Sequence, residues 1–248
     1  MHPDPTFLWL LPERAVDDFA AALGGTRLLT AQEQAAMERR LTAGARRRYL
    51  GARLLCRYAL SARTGRPLDR WRFRIGGFGR PEPEPDEEGV RFNLSHTEGL
   101  IACVVTQGRA CGVDVGPTPA RAELVSHLGH RLAPAERAEL AAAAPGVRAA
   151  LAGEFWVLKE AYLKALGTGL SRSLGGFSFA PRAADRIAVH DPEQPAGTDA
   201  RWWFDLLHPG PGHVLAVATE DGRPGALRRT DLYDLSLFDS SLSDISYV

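Results

Sequence analysis

The chain has 248 residues, 45% of them hydrophobic and 24% charged, and its 30 basic and 30 acidic side chains give a formal net charge of zero. This composition is that of a globular protein of one or two domains and excludes disordered or collagen-like chains. No apolar run approaches the roughly 18 residues that span a bilayer, and the apolar stretch 7–11 lacks the basic segment of a signal peptide. Cys56, Cys103 and Cys111 show no C-x-x-C spacing, which argues against a disulfide framework and a zinc site. We therefore expect a cytoplasmic protein without a membrane segment.

The charge is unevenly distributed along the chain. Residues 39–80 contain thirteen Arg and one acid, Asp69, which gives a local net charge of +12, and residues 82–88 then contribute five acids. Of the thirty cationic residues, 28 are Arg, and the two Lys lie only five positions apart, at Lys159 and Lys164. A buried lysine can lose its proton near neutral pH, which an arginine does not do. The two lysines therefore hint at a chemical site.

The first half of the chain is predicted to contain a long helix followed by strands. Thr30 and Glu33 have the spacing of a capping box, and apolar residues recur with helical spacing as far as Tyr58, so we expect one helix over 30–63. The pattern that follows predicts short strands and loops: a strand at 71–75, a loop at 76–81, paired strands at 90–94 and 100–106 around a tip at 95–99, and a strand at 113–115.

The second half begins with helices. Pro134 suits the first turn of a helix and Gly167 suits a helix C-terminus. The apolar spacing predicts three helices, at 123–132, 135–144 and 147–166.

The second half also repeats features of the first. Short aromatic segments at 71–73 and 177–179 are each followed by similar strand pairs, 92–96 with 100–106 and 204–208 with 213–219. We predict an α+β fold, a tandem pseudo-twofold duplication of an α+β unit with the active site in the cleft between the halves. The alternative is two hairpins that are similar by coincidence. The predicted units are an N-terminal half at 1–116, a C-terminal half at 117–224 and a flexible acidic tail at 225–248.

Three short segments carry groups suited to chemistry, and each has an ordinary structural alternative. Asp114 follows a short apolar strand, where a carboxylate can bind metal or simply cap a turn. Glu160 and Lys164 are four residues apart on a predicted helix, which is also the spacing of a surface ion pair worth about 0.3–0.5 kcal/mol. Aromatic neighbours indicate that this helix is largely buried, where an unpaired Glu160 would be costly. His96 ends a strand and could equally be an ordinary loop histidine.

Together these segments form a more specific pattern. Gly-Val-Asp at 112–114 is followed some forty residues later by Trp-Val-Leu-Lys-Glu-Ala-Tyr-Leu-Lys at 156–164, and Phe-Asn-Leu-Ser-His at 92–96 lies upstream. This order resembles the signature of the 4′-phosphopantetheinyl transferases. The Gly-Arg-Pro turn at 79–81 and the helix at 53–57 resemble the monomeric, duplicated branch of that family, the Sfp type.

The resemblance implies an activity and a set of partners. Members of the family transfer the 4′-phosphopantetheine group of coenzyme A to a serine of an apo acyl or peptidyl carrier protein and release 3′,5′-ADP. Cleaving a pyrophosphate suits Mg²⁺, with Mn²⁺ as a substitute, because a hard cation bridges the phosphate oxygens. We expect a monomer that binds coenzyme A and carrier proteins, and neither nucleic acid nor membrane. The +12 segment carries no nucleic-acid-binding motif.

The resemblance also assigns roles to individual residues. Asp114, Lys159 and Glu160 match the catalytic positions, and Lys159 would contact phosphate and protonate the leaving ADP. Asp114 and Glu160 match the metal ligands. The side chains expected to contact coenzyme A are Arg53, Arg57, Arg80, Ser95, His96, Lys159 and Lys164.

The chain departs from the family pattern at Gly116, where many members of this branch carry another acid. Either a water replaces that ligand or Glu136, in the intervening helix, contributes to the metal site. Two routes for deprotonating the carrier serine are open: Glu160 as a direct base, or a base acting through water. Gly116 also motivates the alternative function, a non-catalytic homologue that binds coenzyme A or a carrier protein.

Overall fold

The computed structural model describes residues 4–76, 80–85, 89–180, 186–195, 197–223 and 225–233. Within these ranges the chain forms α-helices α1 Val16–Leu23, α2 Ala31–Glu38, α3 Ala43–Thr64, α4 Ala122–Arg131, α5 Pro134–Ala142 and α6 Pro145–Leu166. The strands are β1 Thr6–Pro12, β2 Phe73–Ile75, β3 Pro81–Pro83, β4 Val90–Thr97, β5 Leu100–Gln107, β6 Cys111–Pro117, β7 Ser178–Ala180, β8 Ala188–His190, β9 Trp202–Gly210, β10 His213–Glu220 and β11 Leu227–Asp231. The mixed α+β class is confirmed. None of the helices in this part of the chain combines the length and apolar character needed to cross a bilayer.

The strands form two larger sheets and two short hairpins. One sheet has the order β11-β1-β5-β4 and the other the order β6-β10-β9, while β2 pairs with β3 and β7 with β8. All pairs are antiparallel except β1 with β11, which is parallel. Strand β6 therefore leaves its sequence neighbours β4 and β5 and pairs with β10 in the second sheet.

Each large sheet is buried on both faces. Because side chains alternate along a strand, Leu8 and Leu10 of β1 pack with Val113 and Val115 of β6 in a core between the sheets. The opposite face of the first sheet packs against α1 and α3, and that of the second packs against α4, α5 and α6. This double burial explains the continuous apolar run of β5.

The sequence predicts a single helix over 30–63, whereas the structure has two helices there, α2 and α3. The capping box is confirmed: Thr30 Oγ1 accepts a hydrogen bond from Glu33 N, and Glu33 Oε2 accepts one from Thr30 N. Helix α2 ends at Glu38, and Thr42 caps a new helix by accepting from Ala45 N at 3.1 Å. The second cap signal lies inside the apolar periodicity, which conceals the break.

Two other segments differ from expectation. Strand β4 continues to Thr97, so Ser95 and His96 belong to the strand and only 98–99 form the tip. The segment 225–248, predicted to be flexible, instead contributes β11, and Leu232 is buried in the core against the first sheet. Residues 234–248, like loop residues 77–79 and linker residues 86–88, lie outside the described residues.

Helix α6 crosses β6 at very close range. A Cβ atom on Gly112 would lie 2.0 Å from Ala161 O and 2.6 Å from Ala165 N, so only glycine permits this approach. Residues 112, 114 and 116 point toward α6, since the residues between them face the core shared by the two sheets. The crossing therefore brings Asp114 against the segment of α6 that carries Glu160 and Lys164.

Candidate active site

The site is built where β4, β6 and α6 meet. Asp114 is buried, and its Oδ1 accepts hydrogen bonds from Ser95 Oγ of β4 at 2.8 Å and from Lys164 Nζ of α6 at 2.7 Å. Lys164 Nζ also donates to Val113 O at 3.1 Å. Charge-assisted bonds of this kind are about twice as strong as neutral ones, so they fix the carboxylate firmly.

Strands β4 and β6 belong to different sheets, and side chains of β4 accept hydrogen bonds from the backbone N–H groups of β6. Asn93 Oδ1 accepts from Val113 N at 3.1 Å, and Ser95 Oγ accepts from Val115 N at 3.3 Å. The gap between the strands is thus closed without leaving buried amides unsatisfied. Ser95 consequently orients Asp114, in addition to any contact with a ligand.

Glu160 is the second carboxylate of the site. Its burial, and then the negative charge of Asp114, raise the pKa of Glu160 to about 6, while the Lys164 ammonium opposes the rise. Glu160 Oε1 is buried and has no hydrogen-bond partner among the described residues. A partly buried carboxylate of this kind needs a cation or a hydrogen-bond donor from a ligand.

The donor set fits a hard divalent cation, which Asp114 and Glu160 would hold. Asp114 and Glu160 are close enough for their charges to interact, and one oxygen of Glu160 is unsatisfied. Carboxylate oxygens are the ligand type that Mg²⁺ prefers, with waters or substrate phosphates completing its coordination. Among the described residues, no group of three or more acidic, histidine or cysteine side chains is placed to hold a metal. Gly116 adds no ligand, and a Cβ there would only touch Val157 Cγ1 at 3.4 Å.

Lys159 does not lie in this site, contrary to its predicted contact with phosphate. It is 0% exposed, and Nζ donates to Glu136 Oε2 at 2.9 Å and to Leu174 O and Phe177 O, each at 2.7 Å. These three partners use all three ammonium protons. One residue along a helix is a turn of about 100°, so Lys159 points away from the direction of Glu160.

Glu136, proposed as an additional metal ligand, is committed to the same buried cluster. Besides Lys159, it accepts from Ala133 N at 3.0 Å and from Phe179 N at 2.7 Å. Burial raises the pKa of Glu136 and lowers that of Lys159, while the charge of each partner opposes the change in the other. The pair ties α5, α6 and β7 together and has no free group for a ligand.

Of the three arginines predicted to bind phosphate, Arg57 is also internal. It is fully buried, donates from Nη1 and Nη2 to the Glu33 carboxylate at 3.2 and 2.7 Å, and lies over the Phe73 ring. Arg57 therefore attaches α3 to α2. Arg53 and Arg80, in contrast, line a cavity.

A cavity of about 270 Å³ opens beside the carboxylates. Its wall includes four of the seven side chains predicted to contact coenzyme A: Arg53, Arg80, His96 and Lys164. Ser95, Arg57 and Lys159 are not among its lining residues. Arg80 is held by hydrogen bonds to Lys164 O at 3.0 Å and Phe92 O at 3.3 Å. Guanidinium groups, of which Arg80 is fixed by these two bonds, are chemically suited to hydrogen-bond phosphate oxygens.

Sequence reasoning missed two residues of the cavity wall, Arg40 and Tyr49. The Tyr49 ring lies between the guanidinium groups of Arg40 and Arg53, each 5.0 Å from its centroid. The Nε atom of Arg53 is buried without a hydrogen-bond partner in the described part of the chain. The helical spacing of Tyr49 and Arg53 was the available signal, but Arg40 lies beyond the break between α2 and α3.

His96 is exposed at the mouth of the cavity. Partial desolvation, and then the positive charges of Arg48, Lys164 and neighbouring arginines, lower the pKa of His96 below its ordinary value. The ring is therefore neutral at pH 7 and presents one N–H donor. The site as a whole combines two carboxylates, one ammonium group and a cavity lined by cationic side chains. These groups are suited to binding a phosphorylated ligand.

Comparison with known proteins identifies the family. The sequence profile of the 4′-phosphopantetheinyl transferase superfamily matches residues 110–218, the range that contains both carboxylates. A putative 4′-phosphopantetheinyl transferase of Synechocystis sp. is 31% identical over 225 residues, 83% of this chain and 87% of that protein. The 4′-phosphopantetheinyl transferase HetI of Nostoc sp. is 29% identical over 175 residues, 68% of this chain and 71% of that protein. The L-aminoadipate-semialdehyde dehydrogenase-phosphopantetheinyl transferase of Eremothecium gossypii is 35% identical over 171 residues, 64% of this chain and 58% of that protein.

These matches confirm the family resemblance of the motifs. The chain belongs to the 4′-phosphopantetheinyl transferase superfamily and is a transferase.

Proposed function

We propose that this phosphopantetheinyl transferase moves the 4′-phosphopantetheine group of coenzyme A to a serine of an apo acyl or peptidyl carrier protein in a Mg²⁺-dependent reaction that releases 3′,5′-ADP. The observation that carries the proposal is the joint placement of Asp114, Glu160 and Lys164 beside an arginine-lined cavity. The covalent change replaces a phosphoanhydride bond by a phosphoester bond: the serine oxygen loses its proton and bonds to the β-phosphorus, the bond from that phosphorus to the bridging oxygen breaks, and 3′,5′-ADP leaves with the bridging oxygen.

The cavity binds the nucleotide end of coenzyme A in this proposal. Arg53 and Arg80 form charge-assisted hydrogen bonds to phosphate oxygens, and His96 contributes its neutral N–H near the 3′-phosphate. Arg80 is already fixed by two carbonyl oxygens, so little side-chain entropy is lost when it binds.

Asp114 and Glu160 would hold the divalent cation. When bound, the cation neutralises negative charge that develops on the phosphate oxygens. Lys164, rather than Lys159, takes the cationic role beside the phosphates, because its ammonium group is partly exposed at the cavity wall. It stabilises the leaving 3′,5′-ADP and donates a proton to it.

Glu160 removes the proton of the attacking serine, directly or through a water molecule. In the metal-free protein the pKa of Glu160 is raised to about 6, so the carboxylate is ionised at neutral pH. A carboxylate has two oxygen atoms, so one oxygen of Glu160 would hold the cation while the other accepts the proton; Oε1 is buried and has no partner in the described chain.

The duplicated architecture stays a proposal, and the element order supports it. Two 22-residue helices, α3 and α6, are each followed by a short hairpin (β2–β3, β7–β8) and a longer one (β4–β5, β9–β10). The strand that follows each longer hairpin pairs in the other sheet, β6 with β10 and β11 with β1. We propose that residues 1–116 and 117–224 are the two halves, with the site in the cleft between them. Strand β11, which follows the second half at 227–231, completes the exchange that interlocks them.

The carrier protein docks on the basic surface beside the cavity. Leu41 is 95% exposed in the α2–α3 connection, and Arg39, Arg40 and Arg46 around it are exposed as well. An apolar side chain surrounded by cations is complementary to an acidic carrier surface with an apolar centre. We keep a monomer in the cytoplasm as the expected state, and the three free, buried cysteines suit a reducing compartment.

Mass spectrometry of apo carrier proteins tests the function. The purified chain, coenzyme A and Mg²⁺ should add one phosphopantetheine mass to a carrier and none to its matched Ser→Ala variant. No mass gain across a broad carrier panel would reject transfer. If calorimetry then showed tight binding of coenzyme A, the alternative of a non-catalytic homologue would stand in its place.

A further inference from the structure

The turn between β4 and β5 is fastened to a distant segment of the chain by a reciprocal pair of hydrogen bonds. Glu13, at the end of β1, donates from its backbone N to Gly99 O at 3.0 Å, and its Oε2 accepts from Gly99 N at 2.9 Å. Gly99 has φ +89°, a backbone conformation that favours glycine. One glutamate therefore satisfies both backbone groups of the turn residue.

Arg48 of α3 fixes the carboxylate of Glu13. Its Nη1 atom donates to Oε1 at 3.0 Å and to Oε2 at 2.8 Å, and both side chains are largely buried. Gly44, one helical turn earlier, leaves room for the contact: a Cβ there would lie 3.3 Å from Glu13 Oε1 and from Arg48 Nη1. The turn is thereby attached to the helix that also carries Arg53 of the cavity.

The other large sheet holds the same turn from the opposite side. His213, at the start of β10, donates from Nε2 to Glu98 O at 2.9 Å. A Cβ on Gly99 would lie 3.1 Å from the His213 ring, so the imidazole is packed directly against the turn. The turn is thus held by hydrogen bonds to both Glu13 and His213.

The turn lies immediately beyond the residues of β4 that face the cavity. His96, three residues before Gly99, lines the cavity with an exposed side chain, and its backbone pairs with Ile101 across the hairpin, so the end of β4 moves with the turn. A shift of the turn would change the direction of the last residues of β4. Its fastening therefore sets where the imidazole of His96 lies.

We propose that Glu13, together with Arg48 and His213, is a positioning residue for coenzyme A binding: it holds the β4–β5 turn so that His96 meets the 3′-phosphate. This inference rests on the proposed function, since it takes the cavity to bind coenzyme A. This positioning role differs from a purely stabilising one, because Glu13 would affect coenzyme A binding only through the His96 side chain.

A double-mutant cycle measures that dependence. Calorimetry gives the affinity for coenzyme A and for dephospho-coenzyme A, which lacks the 3′-phosphate. In the wild-type background, Glu13→Ala should weaken binding of coenzyme A about tenfold, the scale of one charge-assisted hydrogen bond. Binding of dephospho-coenzyme A should change less than twofold. In the His96→Ala background, Glu13→Ala should cause no further loss, and Glu13→Gln, which keeps an acceptor for Gly99 N, should restore most of the affinity.

Equal losses with and without His96, or equal losses for both ligands, would overturn the inference. If Glu13→Ala does not fold, His213→Ala tests the same turn from its other side and should show the same dependence on His96. Absence of any coenzyme A binding by the folded wild-type protein would instead reject the proposed function itself.

Discussion

Replacing Lys159 should damage the stability of the protein and spare its chemistry, whereas replacing Lys164 should mainly damage the chemistry. Lys159→Met removes a fully buried ammonium group that has three hydrogen-bond partners and lies 4.1 Å from the Phe177 ring centroid. It leaves the Glu136 carboxylate buried without its counter-charge. Breaking a buried pair in this way costs about 3–5 kcal/mol, which corresponds to a Tm lower by roughly 6–20 °C for a chain of this size.

The assay combines thermal unfolding, followed by circular dichroism, with transfer rates measured at about 15 °C and corrected for the folded fraction. Lys159→Met should retain kcat within about threefold at that temperature. The matched Lys164→Met variant removes an ammonium group that is partly exposed and leaves the buried Asp114 carboxylate its hydrogen bond from Ser95, so it should cost less stability than Lys159→Met, about 1.5–3 kcal/mol, but its transfer rate should fall at least about a hundredfold. The variant Lys159→Met/Glu136→Gln should recover part of the lost stability, since no unpaired charge remains.

The opposite pattern would refute this reasoning. If Lys159→Met were as stable as the wild type but inactive, the role of Lys159 as a phosphate contact and proton donor, predicted from the sequence, would be correct. The structural assignment of the buried pair would then be wrong.

Three further predictions concern the carboxylates and the glycines that flank Asp114. Because the folded state raises the pKa of Glu160 from 4.5 to about 6, ionisation costs stability as pH rises through that range; the full cost is about 2 kcal/mol, reduced to about 1 kcal/mol by partial exposure. Glu160→Gln should therefore stabilise the metal-free protein by about 1 kcal/mol at pH 8 and not below pH 4.5, as measured by urea unfolding, and a larger gain at low pH would contradict the assignment. Gly112→Ala should destabilise the protein by about 3 kcal/mol or more because its Cβ would overlap the α6 backbone, whereas Gly116→Ala, its control, should change stability by less than about 1 kcal/mol; equal effects would disprove the close crossing. Gly116→Glu adds a carboxylate on the face of β6 that carries Asp114 and should tighten Mn²⁺ binding in calorimetry, an expectation that unchanged affinity would contradict.

The carboxylates of the site could be predicted from sequence because local rules determine them. Asp114 lies within a short apolar strand, and Glu160 lies at a fixed spacing within an apolar helix. The structure brings the two together through the crossing at Gly112. A motif therefore reveals which residues are candidates, and the packing of α6 on β6 decides which of them meet.

The roles of the two lysines could not be separated in this way. Both belong to the same motif and the same helix, and only partners distant in sequence distinguish them. Glu136 of α5 and the carbonyl oxygens at 174 and 177 occupy Lys159, while Asp114 of β6 receives Lys164. Arg57 is a similar case, because its pairing with Glu33 depends on how α2 folds back on α3.

Strand β11 could not be predicted from the sequence either, because its pairing also depends on a segment distant in the chain. Its sequence, Leu-Arg-Arg-Thr-Asp at 227–231, has little apolar alternation because it lies at the edge of the sheet and is largely exposed. Its partner β1 begins at Thr6, at the opposite end of the chain. Pairing between such distant segments leaves almost no local signal.

Asp114, Glu160 and Lys164, beside the arginine-lined cavity, are proposed to carry out the transfer. A single-turnover experiment tests this role: stoichiometric enzyme, coenzyme A, Mg²⁺ and an apo carrier protein are mixed, quenched and analysed by mass spectrometry. Glu160→Gln should remain folded, bind coenzyme A within about threefold of wild-type affinity and transfer phosphopantetheine at least about a hundredfold more slowly. A Glu160→Gln enzyme that modifies the carrier at the wild-type rate would contradict the account.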